Sequence, residues 1–280
     1  MTVDSSNERE FQMSEADFEK ISELAYSYTG IVLGPQKKDM VYGRLARRLR
    51  DLNLQRVVDY LPLIQTDDQP EVSKFINAIT TNLTSFFREQ HHFDFLAKTV
   101  CPEWMQTNSA SKKIRIWSAG CSTGEEPYSI SMTLRENLNL SAWDCKILAT
   151  DLDSKVIEKG QQGIYGIDRI ESLPLDQKKR WFLHDKNHAD IVKVKPELQS
   201  LIRFKRLNLL EEWPMKGTFD LIFCRNVVIY FNEETQAVLF DRYADMLKPG
   251  GYLIIGHSES LNRVCQRFKA IGKTIYQKII

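Results

Sequence analysis

Apolar positions recur every three or four residues through the first third of the chain, then change to short solid runs from residue 114 onward. Residues 12–96 read as helical. The stretch SEADFEKISELAYSYTG places Ser14 and Asp17 in capping-box spacing and closes at Gly30. PQKKDMVYGRLARRLRDLNL follows, with Pro35 suited to a first helical position. Val41, Leu45, Leu49 and Leu52 then fall on one arc and are expected to face a core. Shorter helices around 57–65 and 70–81 complete a small bundle. The polar stretch QTNSASKK reads as the end of a linker, placed at 97–113.

The second region, 114–280, alternates differently. IRIWSA, CKILATDLD, FDLIFCRNVVIYF, YLIIGHSES and TIYQKII are strand-like, and amphipathic helical stretches separate them. Such alternation predicts a mainly parallel sheet covered by helices on both faces. Residues 181–207 break the rhythm: DIVKVK and LIRFKRL flank a Pro-Glu turn, so a small antiparallel insertion is expected there.

Composition narrows the function classes. The 280 residues are 42% hydrophobic and 27% charged with a formal net charge of +1, so the whole chain is no polycation built for nucleic acid. The beginning MTVDSSNEREFQM has no apolar core typical of a secretory signal, and no run approaches the roughly 18 apolar residues of a membrane span. Five scattered cysteines without a C-x-x-C pair fit buried thiols in a cytoplasmic protein. His184 and His188 stand four apart with no third ligand in view, so no metal is expected.

Candidate chemistry begins at IRIWSAGCSTGEEPYS, a strand, a glycine-containing loop and a helix start. Gly120 and Gly124 permit a sharp turn, but their spacing is neither a dinucleotide fingerprint nor a P-loop, and an ordinary tight turn would look the same. Asp151 ends the second strand, where a carboxylate can take both hydroxyls of a ribose. Glu125 and Glu126 would repel a phosphate at the helix start and suit a ligand carrying positive charge. S-adenosylmethionine, with a sulfonium and no phosphate, meets that description. The fourth strand FDLIFCRN and the following LKPGGYLII complete an order typical of Rossmann-like methyltransferases.

Taken together, TNLTSFFRE, WSAGCSTGEEPYS, TDLD, NLLE, FCRNVVIYF, LKPGGYLIIGHSES and the final TIY closely resemble the chemotaxis receptor methyltransferases of the CheR type. The resemblance runs from about residue 14 onward. It implies an α/β, Rossmann-like S-adenosylmethionine-dependent methyltransferase domain with a small antiparallel β insertion, preceded by an all-α domain that recognises substrate. It also implies methyl transfer to glutamate side chains on the cytoplasmic helical region of chemoreceptors, with S-adenosylhomocysteine as product. Carried over by position, Asn82, Thr84, Arg88, Glu126, Asp151, Asn208, Leu209, Asn226 and Val227 would contact the donor. Arg88 and Tyr230 match the positions nearest the transfer.

The chemistry suits such a set. A glutamate carboxylate is already ionised at neutral pH and needs no general base. Between Lys37 and Arg56 seven basic residues face two acidic ones. Such a stripe is either a solvated helix face or a surface for an acidic helical partner, with Arg44, Arg47 and Arg48 as its candidate substrate contacts. No nucleic-acid partner, no membrane insertion and a monomer are expected. A donor-binding scaffold without transfer and a nucleic-acid methyltransferase are the alternatives; the second lacks the expected [DN]-P-P-[YF] string after the fourth strand. The turn HDKNHAD lacks glycines associated with gripping a receptor's C-terminal peptide, so that tether is not expected.

Overall fold

The computed structural model describes residues 9–66, 70–184, 188–261 and 264–279. Chain contacts divide it into two compact units between Thr81 and Asn82.

The N-terminal unit is helical. Helix α1 (Glu15–Thr29) begins with the expected box: Asp17 N–H donates to Ser14 Oγ, and Ser14 N–H donates to the Asp17 carboxylate at 2.8 Å. It stops at Gly30, whose φ of 69° an L side chain would resist. A 3₁₀ turn leads into α2 (Lys38–Asp51); α3 (Val57–Tyr60) and α4 (Pro70–Ile79) follow. Val41, Leu45 and Leu49 are fully buried, as their spacing requires, and Leu52 is half-buried.

The second unit begins earlier than the sequence suggests. Helix α5 (His91–Phe95) precedes the stretch expected to be a linker, and a π turn over Leu96–Val100 and α6 (Cys101–Thr107) occupy most of that stretch. The cause is apolar spacing: Leu96, Val100, Cys101 and Trp104 lie along one helical face and are buried in this unit's own core. Only 108–112 is a turn.

Strand β1 (Lys113–Ala119) is followed by α7 (Glu125–Asn137), β2 (Asp144–Asp151) and α8 (Ser154–Gln162). Next come β3 (Ile164–Gly166), α9 (Leu175–Trp181), β4 (Phe182–His184), β5 (Ile191–Val194) and α10 (Pro196–Gln199). The chain continues with β6 (Ile202–Arg206), β7 (Phe219–Cys224), α11 (Glu233–Met246), β8 (Leu247–Ile255), β9 (Phe268–Gly272) and β10 (Ile275–Lys278). The main sheet runs β6-β2-β1-β7-β8-β10-β9, parallel except for β10, which pairs antiparallel with both β8 and β9. Ile114 and Ile116 of β1 join one core cluster, and Trp117 and Ala119 the other, so the strand is buried on both faces.

The antiparallel insertion exists, with other strands than expected. DIVKVK supplies β5, which pairs with β3 and β4. LIRFKRL supplies β6, the edge of the main sheet, parallel to β2. Phe204 of β6 packs so tightly on Gly160 of α8 that a Cβ there would lie 2.6 Å from its ring. Residues 185–187 of the HDKNHAD turn lie outside the described residues. Among the described residues, no helix is long and apolar enough to cross a membrane.

Candidate active site

The loops at the carboxyl ends of β1, β2 and β7 converge, as open α/β sheets arrange their ligand crevices. Gly120 leaves β1 at φ 88°, and a Cβ on it would fall 2.3 Å from Val227 Cγ2, so the β1 and β7 loops touch only because this residue has no side chain. Ser122 N–H donates to Asp151 Oδ2 at 2.8 Å, and Asp153 N–H to Asp151 Oδ1 at 3.0 Å. Burial pushes the Asp151 carboxyl up to about 6, while those two N–H groups work the other way. At neutral pH it remains a carboxylate fixed in orientation, with lone pairs left for hydroxyl donors.

Residues 82–90 are tied to this crevice. Asn82 Nδ2 donates to Asp153 Oδ2 at 2.8 Å, and Ser122 Oγ donates to the Asn82 carbonyl at 2.9 Å. The Thr84 carbonyl accepts from Arg169 at 2.7 Å, and Phe87 N–H donates to Ser129 Oγ on α7 at 2.9 Å. Arg88 Nη1 reaches back to the Leu83 carbonyl at 2.8 Å, folding the segment on itself. Phe86 meets Tyr165 and Phe182 edge-to-face, and Phe87 meets Phe93 in the same manner, so both phenylalanines anchor the segment within the second unit. Phe87, Glu89, Ser122 and Asn226 all hold positive φ without being glycine, a strain that concentrates at functional sites.

Two acids open α7. Glu125 is buried, ion-paired with Arg169, and accepts from Thr123 Oγ1 at 2.6 Å. Glu126 accepts from Ser118 Oγ at 2.7 Å and from Arg225 Nη1 at 3.1 Å. Burial raises its pKa, with Arg225 pulling against that shift. The buried Arg225 also donates to the Arg88 carbonyl and stands 3.5 Å from Glu89 Oε2. His257 Nδ1 lies 3.0 Å from the other Glu89 oxygen. His92 is fully buried, and burial followed by the nearby Arg225 charge lowers its pKa to about 4.

Beyond β7 the backbone turns through Asn226 and Val227 into a 3₁₀ turn ending at the half-buried Tyr230. The buried Glu259 carboxylate holds that turn, accepting N–H bonds from Gly256, Val227, Asn226 and Ile229 at 2.5, 2.9, 3.0 and 3.3 Å. Beyond β6, the Asn208 side chain bonds Glu211, while Leu209 is buried and its carbonyl accepts from Arg242 at 2.8 Å.

Two family models match the chain. Residues 16–80 match the all-alpha domain of the CheR methyltransferases, and residues 82–277 match their SAM binding domain. This chain belongs to the CheR methyltransferase family. It is 44% identical to a chemotaxis protein methyltransferase of Klebsiella aerogenes, covering 94% of this chain and 90% of that one. Identity is 43% to the protein of that name from Escherichia coli, over 94% and 91%, and 42% to chemotaxis protein methyltransferase 2 of Pseudomonas aeruginosa, over 96% and 95%. Among solved structures, the N-methyltransferase NodS of Bradyrhizobium japonicum shares 15% identity at a TM-score of 0.34, covering 69% of this chain and 68% of that one.

The family boundary at 80/82 coincides with the structural division between Thr81 and Asn82. Every donor residue named from the resemblance therefore lies in the CheR SAM binding domain. Their surroundings fit that ligand: a fixed carboxylate ends β2, and the α7 N-terminus already carries two buried acids, leaving no seat for a phosphate. Sequence reading missed the residues that support them, chiefly Arg225, Glu259, Arg169 and Glu89. Arg225 had one local signal, a charge directly after the apolar run LIFC.

The α2 arginines divide. Arg44 donates to the carbonyls of Ile79 and Thr80 at 2.6 and 3.0 Å, capping the end of α4. Arg48 makes a bidentate pair with Glu71 and bonds Asp51. These two are engaged within their own unit, whereas Arg47 is exposed. Four cysteines are buried as expected, and Cys265 is half-buried.

Proposed function

We propose that this CheR-family chain transfers a methyl group from S-adenosylmethionine to glutamate side chains on the cytoplasmic helical region of chemoreceptors, giving glutamate methyl esters and S-adenosylhomocysteine in sensory adaptation. One observation carries the reading: Asp151, held by two N–H bonds at the end of β2, is free to take ribose hydroxyls, while the buried acids Glu125 and Glu126 fill the α7 N-terminus where a phosphate would otherwise sit. That arrangement suits a phosphate-free nucleoside ligand. When bound, the donor supplies an electrophilic methyl on a sulfonium. Asp151 takes ribose hydroxyls, and Asn208, Leu209, Asn226 and Val227 line the base and the strand ends. Asn82, Thr84 and Arg88 close from the 82–90 segment, and Glu126, steadied by Ser118 and Arg225, adds negative potential. Arg88 and Tyr230 orient the incoming carboxylate. No side chain needs to remove a proton, because the acceptor is ionised near neutrality. Rate enhancement then comes from alignment and from excluding water around charges that neutralise each other. The protein acts in the cytoplasm as a monomer, without nucleic acid.

The test is incubation with methyl-labelled donor and receptor-containing membranes, followed by mild base. Volatile labelled methanol is expected, and label that survives base would sink the ester chemistry. Arg88→Ala should keep its circular-dichroism spectrum and lose roughly a hundredfold in transfer rate. Full-rate transfer by that variant removes Arg88 from the site.

A further inference from the structure

Three of the chain's five histidines gather around one carboxylate. His257 takes Glu89 Oε1, His92 Nδ1 faces Oε2, and a ring nitrogen of His91 lies within 4.8 Å of both His92 and the carboxylate. The His92 ring is completely buried. Its Nε2 lies 3.0 Å from the Lys273 carbonyl and 3.1 Å from Thr274 Oγ1. A carbonyl only accepts, and the Thr274 hydroxyl already donates to it at 2.7 Å. Nε2 therefore carries the ring proton, and Nδ1 is left as a bare lone pair.

That lone pair faces Glu89 Oε2 at 3.5 Å. Both atoms are buried, and neither has a hydrogen-bond partner among the described residues. Two buried acceptors facing one another without a proton between them are an unfavourable arrangement. The Arg225 guanidinium at 3.5 Å answers the carboxylate charge but not the imidazole lone pair, whereas a cation seated between the two atoms satisfies both. A second proton on His92 would place a buried imidazolium beside the Arg225 guanidinium, which stacks near Phe93 and stands 3.5 Å from the same Glu89 oxygen.

We propose that Glu89 Oε2, His92 Nδ1 and the His91 imidazole form a binding site for a first-row divalent metal ion of the zinc type. The 3.5 Å between the first two ligand atoms matches the edge of a zinc tetrahedron, about 3.4 Å for bonds near 2.1 Å. One ligand atom from each of the three residues lies within 4.8 Å of the others, and His91 is half-buried, leaving an open side for a water. The Nε2–H bond to a backbone carbonyl is the outer contact that ligating histidines use to fix their tautomer. Arg225 is the group that opposes the ion. It keeps Glu126 and the Arg88 carbonyl as partners when Glu89 turns to the metal.

The full chain, stripped with chelator and dialysed, is titrated with Zn²⁺ by calorimetry and with Co²⁺ by its visible absorption. One tight site per chain is expected, with the absorption of a nitrogen–oxygen tetrahedral complex. His91→Ala, which alters no fully buried group, should weaken it at least about tenfold. Glu89→Gln should do the same, and His184→Ala should leave it unchanged. Absence of binding in the wild-type chain overturns the proposal, as does unaltered affinity in both His91→Ala and Glu89→Gln when their thermal unfolding matches the wild type.

Discussion

In each unit of the molecule a largely buried arginine meets a buried glutamate, Arg48 with Glu71 and Arg225 with Glu126, and the two arrangements are built differently. In the N-terminal unit Arg48 and Glu71 close on each other through two bonds, 2.7 and 2.9 Å, with Tyr60 donating to the same carboxylate. In the second unit Arg225 gives Glu126 a single bond and divides its remaining donors between the Arg88 carbonyl and Glu89. The electrostatic result is opposite. Burial raises the Glu71 pKa, but the Arg48 bonds and charge outweigh it and hold the carboxyl below its ordinary range. For Glu126 burial wins and the pKa rises. A pair that closes on itself fastens two helices, whereas a shared arginine fixes three chain segments relative to one another at the expense of each pair.

Removing the arginines should separate these roles most sharply. Arg225→Ala leaves Glu126 and Glu89 without their buried cation and should lower unfolding free energy by about 3–5 kcal/mol in a urea titration. It should also abolish most transfer activity. Arg48→Ala, on a side chain 14% exposed against 2% for Arg225, should cost about 1.5–3 kcal/mol and leave donor binding intact. Equal losses of donor affinity in the two variants would erase the distinction.

Acidity gives a smaller but directional contrast. With its native pKa depressed, Glu71 contributes stability that is present above its ordinary value of 4.5 and is lost as pH falls through the native value. With its native pKa raised, Glu126 binds its proton more tightly when folded, so its contribution declines as pH rises from 4.5 through the raised value. Urea midpoints measured against Glu71→Gln and Glu126→Gln across this range should therefore slope in opposite directions. Parallel slopes would mean that the two carboxylates share one environment.

The smallest effect concerns the arginines outside both pairs. Arg47→Glu should leave stability within about 0.5 kcal/mol and weaken receptor methylation severalfold through KM, as expected for an exposed steering charge. Arg44→Glu removes the cap on the α4 carbonyls and should destabilise by about 1 kcal/mol. If Arg47→Glu methylates receptors normally, the stripe is only a solvated face.

How much of this was legible beforehand follows from whether the cause was local. The Ser14–Asp17 cap, the buried arc of α2, the glycine loop and Asp151 at the end of β2 all follow from residues close together in sequence. Failures arose where the partner was distant. Leu96, Val100 and Trp104 have the periodicity of a bundle helix, and only their packing assigns them to the second unit. Ile202 and Phe204 alternate inward, as an edge strand of either sheet would, and only pairing with β2 decides between them. Arg225 meets Glu126 and Arg88 across 99 and 137 residues, a separation no spacing rule reaches.

The division between Thr81 and Asn82 has a consequence for how such enzymes diversify. Every residue proposed to contact the donor lies after it, including those of the 82–90 segment, so on that proposal the helical unit's charge and shape are separable from the crevice. Graft experiments that exchange residues 1–81 between relatives test the recognition role proposed for the helical unit: target choice is expected to travel with the graft and donor affinity to stay with residues 82–280.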